Sequence, residues 1–192
     1  MMSGTDFPRA FSSCSLVGLF GEADIGFGYN MAMSRAIPAS LRPATNQDRE
    51  AVVSLVTTIL QEYGLTTEPC NTDSDLRDLE FHYNNRGGRF DVLENDQGQI
   101  IGCVGLYPVD THSVALRKMY LRKDVRGRGL GKKLLDHAVK SAKQMGYKRV
   151  TLETATVLKE AIKLYTKYGF EPFVAQHLAR RCDQAFVLEL DA

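Results

Sequence analysis

Three alternating glycines in the run Arg126-Gly127-Arg128-Gly129-Leu130-Gly131 constrain this chain more than any other feature. They follow a strand-like segment near residues 114–121 and open an amphipathic helix. That helix carries Leu130, Leu134, Leu135, Ala138, Ala142 and Met145 on one side and lysines on the other. Glycine lets the backbone approach a ligand closely and take positive φ. The first helical turn adds unpaired N–H donors and the positive end of the helix dipole. Strand, glycine loop and helix together make an anion site, most naturally for phosphates. Arg126, Arg128, Lys132 and Lys133 supply counter-charges.

The loop fits neither of two familiar phosphate fingerprints. A P-loop needs four residues between its glycines, then Lys and a hydroxyl residue. Gly127 to Gly131 encloses three, and Lys133 stands where the hydroxyl would be. The dinucleotide fingerprint is G-x-G-x-x-G, whereas the spacing here is G-x-G-x-G. Glu153 does end a later strand, where a ribose-binding acid would sit, which keeps a dinucleotide binder open. A bland reading also exists, a solvated basic helix after a glycine turn.

Charge bears on the partner. Lys and Arg number 24 and Asp and Glu 23, for a net +1. A dedicated nucleic-acid binder or polybasic membrane protein usually shows a clear excess of one sign. The sum conceals the segment Arg117 to Arg149, where twelve basic residues face two acids, a local +10. Only Tyr120 and Tyr147 lie within it, too few aromatics for a base-stacking surface. No nucleic-acid partner is expected. No run reaches the roughly 18 apolar residues of a membrane span, so no membrane partner is expected either. The four cysteines (Cys14, Cys70, Cys103, Cys182) are scattered, with no C-x-x-C pair and no histidine pair at ligand spacing. No metal site and no disulfide framework are expected. The chain reads as a reducing, cytoplasmic protein.

Residues 1–33 differ from the rest, with four charges, five glycines, no lysine and no sustained period. They read as a disordered N-terminal extension or an upstream start, and 34–192 as one domain. From Ala39 the pattern becomes regular. Ser40 to Pro43 is a short strand. A helix follows with Val52, Val53, Leu55, Val56, Ile59 and Leu60 inward, ended by Gly64. A second helix starts at Asp73 or Ser74, with Leu76, Leu79 and Phe81 inward. A hairpin joins Phe90–Leu93 to Gln99–Tyr107 across Asn95-Asp96-Gln97-Gly98. After the glycine-loop helix come a strand at Arg149 to Glu153, a helix at Lys159 to Tyr168, and strands at Phe170–Val174 and Ala185–Leu190. The fold class is mixed α/β or α+β, around one sheet.

Two segments, in order, resemble a known family. Leu116 to Gly131 resembles the acetyl-CoA-binding motif of the GNAT superfamily of N-acetyltransferases, Q/R-x-x-G-x-G/A, which Arg126, Gly129 and Gly131 match. Ala161 to Phe170 resembles its second motif, A-x-x-L-Y-x-x-x-G-F, and Leu41-Arg42-Pro43-Ala44 its usual first strand. The likeness covers roughly residues 39–190. It implies a splayed mixed sheet of six to seven strands with helices on both faces, and acetyl-CoA as co-substrate without a metal. It also implies that Met119, Tyr120 and Leu121 bind the pantetheine arm through their backbone. The amides of Gly127, Arg128, Gly129, Leu130, Gly131 and Lys132, beside Arg126, would hold the pyrophosphate. Tyr165 would protonate or hydrogen-bond the departing thiolate. Leu158 stands where many relatives have Asn, and Ala115 where Glu is frequent, so one CoA contact and one candidate base are not expected here.

The implied reaction is acetyl transfer to the primary amine of a small molecule, such as an amino acid or related metabolite. Glu153 is the first candidate base, with Asp183 and His82 behind it. Arg117 can pair with a substrate carboxylate through its bidentate fork. A protein N-terminus or lysine as acceptor, and a CoA-binding regulatory module without turnover, are the alternatives. Sheet-edge pairing, common in similar proteins, would make a homodimer.

Overall fold

The computed structural model describes residues 38–190 except Gln176. The expected extension, 1–33, lies outside them. Seven strands form one sheet in the order β1-β2-β3-β4-β5-β7-β6. They are β1 (Ala39–Pro43), β2 (Arg89–Asn95), β3 (Ile100–Pro108), β4 (Ser113–Leu121), β5 (Arg149–Thr154), β6 (Glu171–Pro172) and β7 (Gln184–Glu189). Four helices are α1 (Arg49–Glu62), α2 (Leu79–His82), α3 (Leu130–Gln144) and α4 (Lys159–Tyr168). All neighbouring strands run antiparallel except β4 and β5. A parallel pair needs a crossover, and α3 supplies it.

Helices cover both faces, because the strands alternate. Val114 and Leu116 of β4, with Val150 and Leu152 of β5, point to one core with Leu134, Leu135 and Ala138 of α3. Phe90 and Val92 of β2 point to the other core, with Val52, Val56 and Ile59 of α1. Leu134, Leu135, Val52 and Val56 are wholly buried. Each such side chain contributes about 1.5–3 kcal/mol by leaving water.

Two expected elements differ. The second helix breaks into a 3-10 turn at Ser74–Arg77 and the single turn α2. Asp78 between them is extended, and its carboxylate caps α2 by accepting the Phe81 amide at 2.8 Å. Phe81 is therefore 52% exposed rather than inward. The strand expected at Phe170–Val174 shrinks to Glu171–Pro172, with the Phe170 amide still bonded to the Tyr165 carbonyl at the end of α4.

The site is set by what happens to β4. Its pairing with β5 stops at Leu116 opposite Leu152. β4 runs on to Leu121, while β5 runs on to Thr154 against β7. Residues 117–121 thus have no strand partner on that side. The β3–β4 register also slips here. Cys103 faces Tyr120 and Gly105 faces Arg117, so two residues, Lys118 and Met119, oppose Val104. Lys118 takes φ +53°, left-handed for a non-glycine residue. Such a bulge bends and twists its strand, which carries β4 away from β5.

Candidate active site

The parting of β4 and β5 opens a cleft of about 790 Å³. Met119, Tyr120 and Leu121 line it from β4, and Leu152, Glu153 and Thr154 from β5. Leu158, Ala161 and Tyr165 close it from the α4 side, and Arg126 stands at the glycine-loop end. Of the expected site residues, the cavity gathers Arg117, Met119, Tyr120, Leu121, Arg126, Glu153 and Tyr165, whereas residues 127–132 lie outside its lining.

At the glycine-loop end, Gly127 and Gly129 have φ of +74° and +79°. Neither has a heavy atom within 4 Å of where a Cβ would stand, so the backbone faces open space. Gly129 is the N-cap of α3. The Lys133 amide bonds back to the Gly129 carbonyl at 3.1 Å, and the amides before it point out of the helix end. Arg126 is held by three partners: its Nε donates to the Leu121 carbonyl at 2.8 Å, its Nη1 to Glu62 at 2.7 Å, and its guanidinium lies 5.7 Å from the Tyr63 ring. Its Nη2 is buried with no acceptor. An orphaned guanidinium nitrogen beside free helix amides fits a phosphate-bearing ligand. Arg128 and Lys132 are exposed, and Lys132 pairs with Asp136 on the helix surface.

At the centre, the direction of the β4 amides can be read from their bonds. The Arg122 amide donates to the Ile101 carbonyl on β3. Backbone groups alternate along a strand, so the amides of Met119 and Leu121 face the opposite, open edge. The Lys118 carbonyl accepts from the Cys103 thiol at 3.0 Å, on the β3 side. A trans peptide points its N–H the other way, which independently turns the Met119 amide into the cleft. The Tyr165 hydroxyl crosses from α4 to Met119 Sδ at 4.0 Å. Tyr165 is 6% exposed, and burial with neighbouring Tyr120 raises its pKa well above the ordinary tyrosine value. It keeps its proton at neutral pH, so its hydroxyl is available as a hydrogen-bond donor.

The far wall carries polar groups. Glu153 ends β5 exposed, with one oxygen accepting the Ala179 amide at 2.8 Å. Burial pushes the Cys182 thiol up to about 11, and Glu153 adds to the effect. Cys182 is therefore a neutral wall and not a thiolate nucleophile. Arg117 is not a free fork. Its Nη2 donates to the Thr72 carbonyl at 3.1 Å, its Nη1 lies 3.3 Å from Asp75, and it stacks 5.0 Å over the Tyr107 ring. It still faces the cleft with donors to spare. Asp183 accepts the Thr156 amide at 2.8 Å, and His82 sits on α2 away from the cleft lining.

Sequence reasoning missed a buried cluster behind this wall. The Lys118 ammonium, 2% exposed, lies 2.9 Å from Asp73 and 3.2 Å from Asp75, and donates to the Thr72 carbonyl at 2.8 Å. Arg181 meets Asp73 with two bonds of 2.7 Å. The Tyr83 hydroxyl donates to Asp75 at 2.7 Å. One signal could have exposed the bulge: the apolar alternation runs Val114, Leu116, then Met119, Leu121, a slip of one residue at Lys118.

Comparison with known proteins places this geometry among relatives. The acetyltransferase (GNAT) family profile matches residues 56–170. YjgM, an uncharacterized N-acetyltransferase of Escherichia coli (strain K12), is 38% identical over 146 residues, covering 72% of this chain and 87% of that protein. An N-acetylaspartate synthetase of Danio rerio is 32% identical over 102 residues, 53% of this chain and 36% of that protein. Among solved structures, an acetyltransferase of the GNAT family from Staphylococcus aureus superposes with TM-score 0.75 at 23% identity, over 80% of this chain and 99% of that one. A GNAT-superfamily phosphinothricin acetyltransferase from Sinorhizobium meliloti, in complex with acetyl-CoA, superposes with TM-score 0.64 at 20% identity, over 80% and 89%. Among the described residues no helix is long and apolar enough to cross a membrane.

Proposed function

Since the chain belongs to the GNAT acetyltransferase family and is an acyltransferase by that membership, we propose that it moves the acetyl group of acetyl-CoA to the primary amine of a small molecule, an amino acid or related metabolite. The observation that carries this reading is the open edge of β4. Two amides point into a cleft that also holds a buried, protonated tyrosine and reaches Arg126, just before the α3 N-terminus.

In this reading the pyrophosphate of CoA lies at the α3 N-terminus, against Arg126 and the amides of residues 127–132. The pantetheine arm lies along Met119, Tyr120 and Leu121 as an added strand. The Met119 amide receives the negative charge that builds on the thioester oxygen. The amine nitrogen forms a bond to the acetyl carbon, the carbon–sulfur bond breaks, Glu153 takes the amine proton, and Tyr165 gives a hydrogen bond, and with it the proton, to the leaving sulfur. A lysine-like amine, pKa about 10.4, is neutral in only about one molecule in 10³ at pH 7, whereas an α-amino group near 8 needs far less help. That difference favours an amino-acid-like acceptor, whose carboxylate Arg117, facing the cleft, would meet.

Incubation with acetyl-CoA and separate pools of amino acids, polyamines and peptides, with release of free thiol as the readout, tests this. Turnover with the amino-acid pool is expected. Turnover with peptides alone would make the acceptor a protein. CoA binding with no turnover of any pool would make the chain a regulatory CoA sensor. A second expectation concerns the loop: Gly129→Val should weaken CoA binding at least tenfold. A side chain at φ +79° costs about 1–2 kcal/mol and covers the amides. Calorimetric titration with CoA checks it, and an unchanged Kd removes the loop from the binding site.

A further inference from the structure

We infer that Lys118 is a positioning residue for acetyl transfer: its ammonium, clamped by Asp73, Asp75 and the Thr72 carbonyl, holds the left-handed turn of β4 that aims the Met119 amide into the cleft. The inference rests on the transfer reading above and names a residue that reading does not use.

Three observations converge on it. Lys118 is the one non-glycine residue with positive φ among the described residues. Strain of this kind persists where surrounding structure over-determines it. Its side chain, 2% exposed, is that over-determination. Its three acceptors all come from the single connection between α1 and α2, at 2.8, 2.9 and 3.2 Å. The same residue's carbonyl is held by the Cys103 thiol of β3 at 3.0 Å. The 118–119 peptide plane is thus pinned at its oxygen by β3 and through its side chain by the α1–α2 connection. Its remaining polar group, the Met119 N–H, is the one turned to the open edge. A lysine merely satisfying two buried acids could sit anywhere along the strand. This one sits at the residue whose φ decides where that amide points.

Asp73 extends the device. It also takes both bonds of Arg181, from the connection between β6 and β7. The two connections flanking the acceptor end of the cleft are therefore joined to the bulge through one carboxylate.

The test compares the full chain with Lys118→Met and with the charge-balanced pair Lys118→Met/Asp75→Asn, which keeps a folded sample if the single change leaves Asp75 without its cation. Turnover is measured with the best acceptor, and the Met119 amide is followed in 15N-labelled protein titrated with CoA and then with acetyl-CoA. In the unaltered protein, acetyl-CoA should shift the Met119 resonance beyond the shift caused by CoA. In the folded variant that extra shift should vanish and kcat should fall about 10²-fold, the usual consequence of a misplaced reacting group. The Kd for CoA should change less than about threefold, since Arg126 and the α3 N-terminus are untouched, and acceptor KM is compared with that of Asp75→Asn alone, because Asp75 also approaches Arg117. A folded variant that keeps both kcat and the extra shift overturns the inference, as does a loss confined to acceptor KM. If the unaltered protein turns over no acceptor, the transfer reading falls. The resonance of Met119 still decides whether Lys118 aims the amide.

Discussion

Asp73→Ala is expected to destabilise the protein by about 3–5 kcal/mol, the usual cost of removing one partner from a buried charge cluster. For a chain of this size that is on the order of 10 °C in Tm. Asp73 is 4% exposed and is the common acceptor of Lys118 and Arg181. Without it two cations remain behind the cleft with only Asp75 to answer them. Thermal unfolding followed by circular dichroism checks this, and a Tm within 2 °C or so of the unaltered protein would show that water or rearrangement replaces the carboxylate. Burial alone would raise the Asp73 pKa, but Arg181 and Lys118 outweigh it and hold the group well below the ordinary carboxylate value. The folded form therefore binds its proton less readily than the unfolded chain. The contribution of Asp73 to stability is complete above the unfolded value, about 3.9, and declines as pH falls below it towards the folded value. The gap in stability between the unaltered protein and Asp73→Ala should accordingly be widest near neutrality and narrow in acid below about pH 4.

The second large effect is on catalysis. Tyr165→Phe should lower kcat by about 10²-fold or more, within the range a positioned proton donor supplies. The Kd for acetyl-CoA should change by less than about threefold, because the ring and its packing on Phe170 remain. Stopped-flow release of thiol and equilibrium titration separate the two quantities. Equal kcat in both proteins would leave the leaving sulfur to be protonated by water. The raised pKa of Tyr165 adds a sign: its own ionisation should produce no alkaline loss of kcat below about pH 10, the ordinary tyrosine value.

Much of this was legible because it is local. Glycines at positive φ, the start of α3, the stripe of α4 and its stop at Gly169 all depend on residues a few positions apart. Met119, Leu121 and Tyr165, which line the cleft, stand in two short motifs. The charge cluster was not legible in the same way. Lys118 meets Asp73 across 45 positions, and Arg181 meets it across 108. Nothing within a local window says which of 23 acids a buried lysine will meet. Arg117 shows the same limit. The sequence offers its fork to a substrate carboxylate, but the acid it already approaches, Asp75, comes from a segment that the apolar pattern of Leu76, Leu79 and Phe81 assigns to a plain helix. That segment is bent into a 3-10 turn whose Asp73 and Asp75 face inward, so polar demand from β4 overrode helical periodicity. The slip from Leu116 to Met119 was the one local trace of the bulge.

The halted pairing of β4 and β5 has an effect beyond chemistry. An unpaired strand edge is ordinarily a template for unwanted association between chains. Here that edge lies inside the sheet, five residues long and walled by α4, where another chain cannot lie flat against it. A slender ligand with amide groups of its own can. If such a ligand completes the sheet as it binds, the protein's resistance to unfolding should rise with the supply of that ligand. At a hundred times its Kd the gain is about 2.7 kcal/mol. Abundance of the folded protein would then track the availability of its own acyl donor.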